Sequence, residues 1–199
     1  MSHAIIGAGA IGQALATQFA RAGIEVLIAN SRGPDSLADL AGTLGPTIRP
    51  APVGEALAAA IVILAVPFDA IEATVAPVRD WHGRLAVDAS NAIDFPAFTP
   101  RDLGGRPSSA VVRDRLPGAR LVKAFNTMPA ALLAKDPAEG GGRRVVFLSG
   151  DEPEANAEAA VLIRRLGFAP IDLGRLAEGG RLQQFGGPFP VHNLIELTA

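Results

Sequence analysis

The residues most able to do chemistry in this chain are three glycines. Gly7-Ala8-Gly9-Ala10-Ile11-Gly12 is a G-x-G-x-x-G string that directly follows the apolar run Ala4-Ile5-Ile6 and opens an amphipathic segment. In that setting each glycine has a role that follows from lacking a side chain. Gly7 permits a tight turn, Gly9 lets a pyrophosphate approach the backbone, and Gly12 lets a helix pack closely on the strand behind it. A helix starting at Ala10 and Ile11 would aim free N–H groups and the positive end of its dipole at that anion. The competing explanation is an ordinary glycine-rich turn between a strand and a helix.

The end of the second expected strand chooses between dinucleotides. An acidic residue about twenty positions past the glycines hydrogen-bonds the ribose hydroxyls of NAD. Here that place holds Asn30-Ser31-Arg32. No carboxylate is present to repel a 2′-phosphate, while a hydroxyl and a guanidinium are available to bind one. Arg32 alone could be a solvated surface arginine, but the three residues together make NADP(H) the expected cofactor.

Ligands of open α/β sheets lie outside the carboxyl ends of the strands. Those ends read Val66-Pro67-Phe68, Ala89-Ser90-Asn91 and Asn126-Thr127-Met128. Such amides and hydroxyls suit a carboxamide or a flat heterocycle, and they form no proton-transfer set. Lys123, inside a strand, is expected to be a structural lysine reaching a carboxylate or carbonyl, with a catalytic acid as the other reading. His192 is expected to be a tail-packing or surface residue. Hydride transfer between stacked redox rings depends mainly on binding and orientation. Carbonyl or imine reduction usually needs a positioned proton donor as well.

The elements that must hold these residues alternate. Strands are expected at Ala4–Ile6, Glu25–Ala29, Thr47–Arg49, Ile61–Val66, Leu85–Asp88, Leu121–Phe125, Val145–Ser149 and Phe168–Leu173. Helices are expected between them, the first over Ala10–Ala22 with Ile11, Leu15 and Phe19 on one face. Others are expected at Pro34–Leu40, Val53–Ala60, from Pro67 to Val78, and Pro129–Ala134, with a further helix capped by Asp151 and ending at Gly167. Asn91–Gly118, rich in Pro, Gly and Ser, reads as a long connection over one edge of the sheet, with a short helix at Ser108–Leu116. The expected fold is α/β: a single Rossmann-type domain over 1–199, with a doubly wound, mostly parallel sheet and helices on both faces. The tail, 174–199, is expected to form a substrate wall or a subunit interface.

Composition bounds the function classes. Apolar residues are 49%, and with the glycines about 60%, above the usual ~45–50%. A sheet buried on both faces or an apolar subunit interface would each explain the excess, and a homodimer is expected. The formal charge of -2 offers no basic footprint for nucleic acid. Without cysteine there is no disulfide, thiolate nucleophile or cysteine-ligated metal, and His3, His82 and His192 lack ligand spacing, so no metal is expected. The longest apolar run, Ala56–Phe68, is short of the ~20 residues that cross a bilayer. The start shows no charged leader, and a cytoplasmic location away from membranes is expected.

Taken together, the glycine loop, Asn30-Ser31-Arg32, Val66-Pro67, Asp88-Ala89-Ser90-Asn91 and Lys123-Ala124-Phe125-Asn126-Thr127 resemble the coenzyme F-420-dependent NADP oxidoreductase family. That family is similar in turn to the cytosolic domain of the six-transmembrane metalloreductases. The resemblance runs over nearly the whole chain and includes Gly150-Asp151 and Asp172-Leu173-Gly174. It implies that Ser31 and Arg32 hold the 2′-phosphate and Gly9 to Ile11 the pyrophosphate. Val66 and Pro67 would lie by the adenosine ribose or nicotinamide, and Asn91, Asn126 and Thr127 would line the hydride-transfer pocket. The chain departs from the family pattern at Ala92, where proline is expected, so a flavin or another acceptor stays open beside F-420.

Three functions are compatible with these readings. The first is hydride transfer between NADP(H) and a planar acceptor such as F-420 or a flavin. The second is NADPH-dependent reduction of a small imine or carbonyl compound, with Lys123, His192 or Thr127 as proton donor. The third is a non-catalytic NADP(H) sensor.

Overall fold

Short apolar runs become strands buried on both faces, as parallel sheets require. The computed structural model describes residues 1–197. In chain order the elements begin β1 (His3–Ile6), α1 (Ala10–Arg21), β2 (Val26–Ala29), α2 (Ala38–Leu44), β3 (Ile48–Pro50) and α3 (Val53–Ala56). They continue β4 (Ile61–Leu64), α4 (Ile71–Val75), β5 (Leu85–Asp88), the small hairpin β6 (Ile93–Asp94) and β7 (Thr99–Pro100), and α5 (Ser108–Arg113). The last part holds β8 (Arg120–Ala124), α6 (Ala130–Leu133), β9 (Arg143–Gly150), α7 (Pro153–Arg165), β10 (Ala169–Asp172), α8 (Gly179–Gln183) and β11 (Ile195–Glu196).

The sheet runs β10-β9-β8-β5-β4-β1-β2-β3, and β11 pairs with β9. Strands β3 to β8 along this order are all parallel. Ile6 lies opposite both Ala29 and Leu64, so the loops after β1, β2 and β4 open at one edge. The strand order reverses between β1 and β4, which makes the crevice there the natural ligand site.

Helices cover both faces. Leu15 and Phe19 of α1 are fully buried with Ile5, Ile28 and Ile63 on one side. Burial stabilises each such side chain by roughly 1.5–3 kcal/mol. Ile6, Val62 and Leu64 pack on the other side with Leu57, Ile71 and Val112. The doubly wound α/β reading is therefore the observed architecture.

Several local expectations change. The segment Asn91–Gly118 joins β5 to β8, which are sheet neighbours, so it crosses a face and not an edge. There α5 buries Val112, and Leu116 follows it into the same cluster. Asp151 does not cap α7; Glu152 holds that position without a side-chain bond. Asp151 instead accepts the Leu176 N–H at 3.1 Å and pairs with Arg113. The helix expected over Val53–Ala60 stops at Ala56, and the one expected up to Val78 is a 3-10 turn at Phe68–Ala70 followed by α4.

Among the described residues, the one antiparallel neighbour pair along this eight-strand order is β8 with β9, and β11 adds a second antiparallel pairing on β9. The helix between β8 and β9, α6, is a single turn (Ala130–Leu133). It does not carry the chain down the sheet, whereas α7 does so between the parallel pair β9 and β10. The tail then runs back along β9. Leu176 and Gln183 are buried, Val191 N–H bonds the Thr127 carbonyl at 2.7 Å, and Ile195 pairs with Arg144. The last two residues of the expected tail, 198 and 199, lie outside the described residues.

Candidate functional site

The loop after β1 is shaped by close approach. Gly7 has φ of 108°, and a Cβ there would overlap the Ala65 carbonyl at the end of β4. A Cβ on Gly12 would overlap the Gly7 carbonyl, so α1 sits against the loop as only glycine allows. Gly9 differs from both, because a Cβ there would meet nothing within 4 Å. Its missing side chain serves no packing need of the protein; it leaves open the space in front of the first turn of α1. Gly9 is the N-cap of that helix and makes no side-chain cap bond. The first N–H groups therefore stay available to an anion.

This loop is one wall of a cleft of about 860 Å³. Asn30, Ser31 and Arg32 form the wall after β2, and Val66 and Pro67 the wall after β4. Asn30 shapes its turn from within, its Oδ1 accepting the Arg32 N–H at 2.9 Å and the Ser36 hydroxyl at 3.2 Å. Ser31 and Arg32 are left exposed. Among the described residues the Arg32 guanidinium has no hydrogen bond or ion pair, although most other arginines near a carboxylate are tied to one.

A second cleft of about 530 Å³ shares Gly9, Ala65, Val66 and Pro67 with the first, so the two are continuous. Ala10 and Ile11 line this second part together with Ser90, Asn91 and Phe95. Phe95 is 74% exposed at the rim, tilted against Phe98, which meets the tail residue Phe185 edge-on with ring centres 5.1 Å apart. The one titratable side chain of the second cleft is Asp69, which pairs with Arg101.

Behind the cleft wall lies a buried charge pair. Lys123 Nζ donates to Asp88 Oδ2 at 3.1 Å and to the Ser90 carbonyl at 3.0 Å, and both residues are 0% exposed. Asp88 also accepts the Ser90 N–H, the Ser90 hydroxyl and the Ser109 hydroxyl. Burial opposes the charge on Asp88, but the ammonium and these hydroxyl and amide donors outweigh it and hold the carboxyl below the usual carboxylate range. The structural reading of Lys123 is the one the geometry displays, with a carboxylate and a carbonyl both in reach.

Of the residues expected in the hydride-transfer pocket, only Asn91 lies on the cleft wall. Asn126 is buried behind it: Asn91 Nδ2 donates to the Asn126 carbonyl at 2.8 Å, and Asn126 Nδ2 donates to Asn91 Oδ1 at 3.0 Å. Thr127 is buried as well and lines neither cleft. His192 is exposed, with Nδ1 3.2 Å from the Pro190 carbonyl. Sequence reasoning missed Phe95, Ser109 and Gln183, none of which stands in a recognisable motif. Among the described residues no group of three possible metal ligands occurs, and no helix is long and apolar enough to cross a membrane.

Residues 2–92 match the family described as NADP oxidoreductase coenzyme F420-dependent. The match takes in the amino-terminal part of the chain, just under half of its 199 residues. That family is one of NADP-dependent oxidoreductases. Among solved structures, the hypothetical protein SMa0349 from Sinorhizobium meliloti is 56% identical, with a TM-score of 0.96 over 98% of this chain and 96% of that one. A "putative F420 dependent NADP-reductase" from Arthrobacter sp. FB24 is 29% identical, with a TM-score of 0.74 over 88% and 86% of the two chains. Rat metalloreductase STEAP3 is 28% identical over 180 residues, 90% of this chain and 35% of the relative, so the chain spans about a third of that protein. The glycine loop, Asn30 to Arg32 and Asn91 all lie within the matched residues. The open space at Gly9 and Arg32, unpaired among the described residues, both fit a dinucleotide with a 2′-phosphate.

Proposed function

We propose that the chain transfers a hydride between NADP(H) and a planar acceptor such as coenzyme F-420 or a flavin. The observation that carries this reading is the second cleft, continuous with the first, rimmed by Phe95 and free of any unpaired acid or base. NADPH supplies a hydride when bound. The residues of the chain hold and orient: Gly9 to Gly12 and the start of α1 take the pyrophosphate, and Ser31 and Arg32 the 2′-phosphate. Val66 and Pro67 separate the two parts of the cleft, and Asn91 offers its amide to a carboxamide or heterocycle edge. An aromatic rim gives a flat conjugated acceptor a face to stack on.

Reduction of a small imine or carbonyl is the weaker reading. Of its three possible proton donors, Lys123 is sealed under Ser90, Thr127 lies off the cleft and His192 faces solvent. A non-catalytic sensor is the third reading, and turnover with any acceptor excludes it. We further propose a cytoplasmic homodimer in which a second copy covers exposed apolar residues such as Phe98 and Val191. A monomer mass by light scattering at micromolar concentration would overturn the dimer.

The test pairs titrations of NADPH and NADH with NADPH oxidation in the presence of F-420, FMN or FAD. NADPH is expected to bind more tightly than NADH. Arg32→Ala is expected to weaken NADPH about ten- to a hundredfold, the ~1.5–3 kcal/mol of a hydrogen bond to a charged group, and to leave NADH nearly unchanged. Equal affinity for both nucleotides in the wild type would refute the role given to Ser31 and Arg32. Turnover on an imine but on no planar acceptor would refute the acceptor class.

A further inference from the structure

The amide of Asn91 is held from behind by a chain of groups that ends in the C-terminal segment. Asn126 Nδ2 donates both to Asn91 Oδ1 and, at 2.6 Å, to the Gln183 carbonyl. Gln183 Nε2 donates to the Lys123 carbonyl at 2.8 Å. Backbone carbonyls only accept, so each amide nitrogen must face its carbonyl, and the orientation of the Asn91 and Asn126 side chains is fixed by chemistry. Asn91 is left with one N–H and one oxygen lone pair for a ligand.

Two features make this more than packing. Asn126 Oδ1 and Gln183 Oε1 are buried without a hydrogen-bond partner among the described residues, each a cost of about 1–3 kcal/mol. Apolar groups of the same shape would fill the space more stably. Phe125, just before Asn126, is buried at φ of 65°, a left-handed conformation that a bulky residue adopts at a cost. Such strain persists where the surroundings over-determine it, and it gathers at functional sites.

We propose that the Gln183 side chain is a positioning group for the acceptor cleft: tied to the Lys123 carbonyl, it fixes the Gln183 backbone carbonyl that accepts from Asn126, and so aims the free donor and acceptor of Asn91 at the amide or imide edge of a bound ring. The proposal rests on the hydride-transfer reading for the identity of that ring. The relay itself is built from the chain's own groups.

The test uses the full chain and two readouts. In wild-type protein the Asn91 side-chain amide protons, assigned in 1H–15N spectra by their loss in Asn91→Ala, are expected to exchange slowly and to shift on addition of NADP+. In Gln183→Met their exchange is expected to quicken at least tenfold. With whichever planar acceptor turns over, kcat is expected to fall about tenfold or more, while the Kd for NADPH stays within twofold. Leu176→Ala is the control, because it removes a buried anchor of the same segment from an apolar cluster that contains none of the relay residues. It should lower Tm and leave Asn91 exchange and kcat near wild type.

Unchanged Asn91 exchange in Gln183→Met, or equal changes in Gln183→Met and Leu176→Ala, would overturn the proposal. Faster exchange in a protein that reduces no planar acceptor would uphold the relay and refute the hydride-transfer reading instead.

Discussion

Lys123→Met is expected to destabilise the fold by about 3–5 kcal/mol at neutral pH, because it leaves Asp88 buried with no opposing charge. That is a large part of the ~5–15 kcal/mol by which a domain is stable. For a chain of this size it means a Tm lower by roughly 10 °C. Adding Asp88→Asn should restore part of the loss, since a neutral amide costs less to bury than a lone carboxylate, and the two substitutions should be clearly non-additive.

The pH dependence supplies an independent check. In the wild type the Asp88 carboxyl titrates below its unfolded value. Its contribution is thus present above the ordinary carboxylate pKa of ~3.9 and is lost as pH falls through the lower folded value. In Lys123→Met the ammonium is gone and burial is opposed only by the Ser90 and Ser109 donors, so the carboxyl should titrate above its value in the folded wild type. The variant's deficit should then shrink as the pH falls toward carboxyl protonation. Urea unfolding at pH 7 and pH 4 measures both trends, and a deficit that grows on acidification would exclude the pair as the cause.

The second large effect separates two glycines that look alike in the motif. Gly12→Ala is expected to reach or pass the upper end of the ~1–3 kcal/mol typical of overpacking, because the new Cβ overlaps backbone at Gly7 and α1 must move off the sheet. Gly9→Ser should leave stability within about 0.5 kcal/mol, since its φ of -74° suits any residue and serine is a favoured N-cap. NADPH binding in Gly9→Ser should nonetheless weaken by about tenfold or more, as the side chain enters the space before the helix. Thermal melts beside nucleotide titrations test this. A Gly9→Ser protein that binds NADPH normally would remove the pyrophosphate from that space.

The legible parts of this protein are those set by neighbours in sequence. The loop from Gly7 to Gly12 and the turn at Asn30 each depend on a few adjacent residues, so their geometry could be read directly. The alternation of apolar runs with helical spacing gave the doubly wound order as far as β8. Beyond that, the direction of β9 depends on whether one helical turn crosses the sheet, which no local pattern in 126–142 reveals. The place of Asn126 depends on Gln183, distant by 57 residues, and that of Thr127 on Val191. Phe95 sits in a loop whose composition reads as mere connection, and only the folded chain brings it to the rim.

The reversal at β9 has a practical consequence for handling the protein. The chain starts at the edge of the sheet away from the ligand loops, where His3 opens β1. Its described end returns to the opposite edge, pairing with Arg143 and Arg144 just past the Thr127 contact. A label attached near Ile195 or Glu196 would therefore stand at the edge of the sheet where the ligand loops open. The same label near His3 would stand a full strand length away, so that position is the one to use in kinetic work.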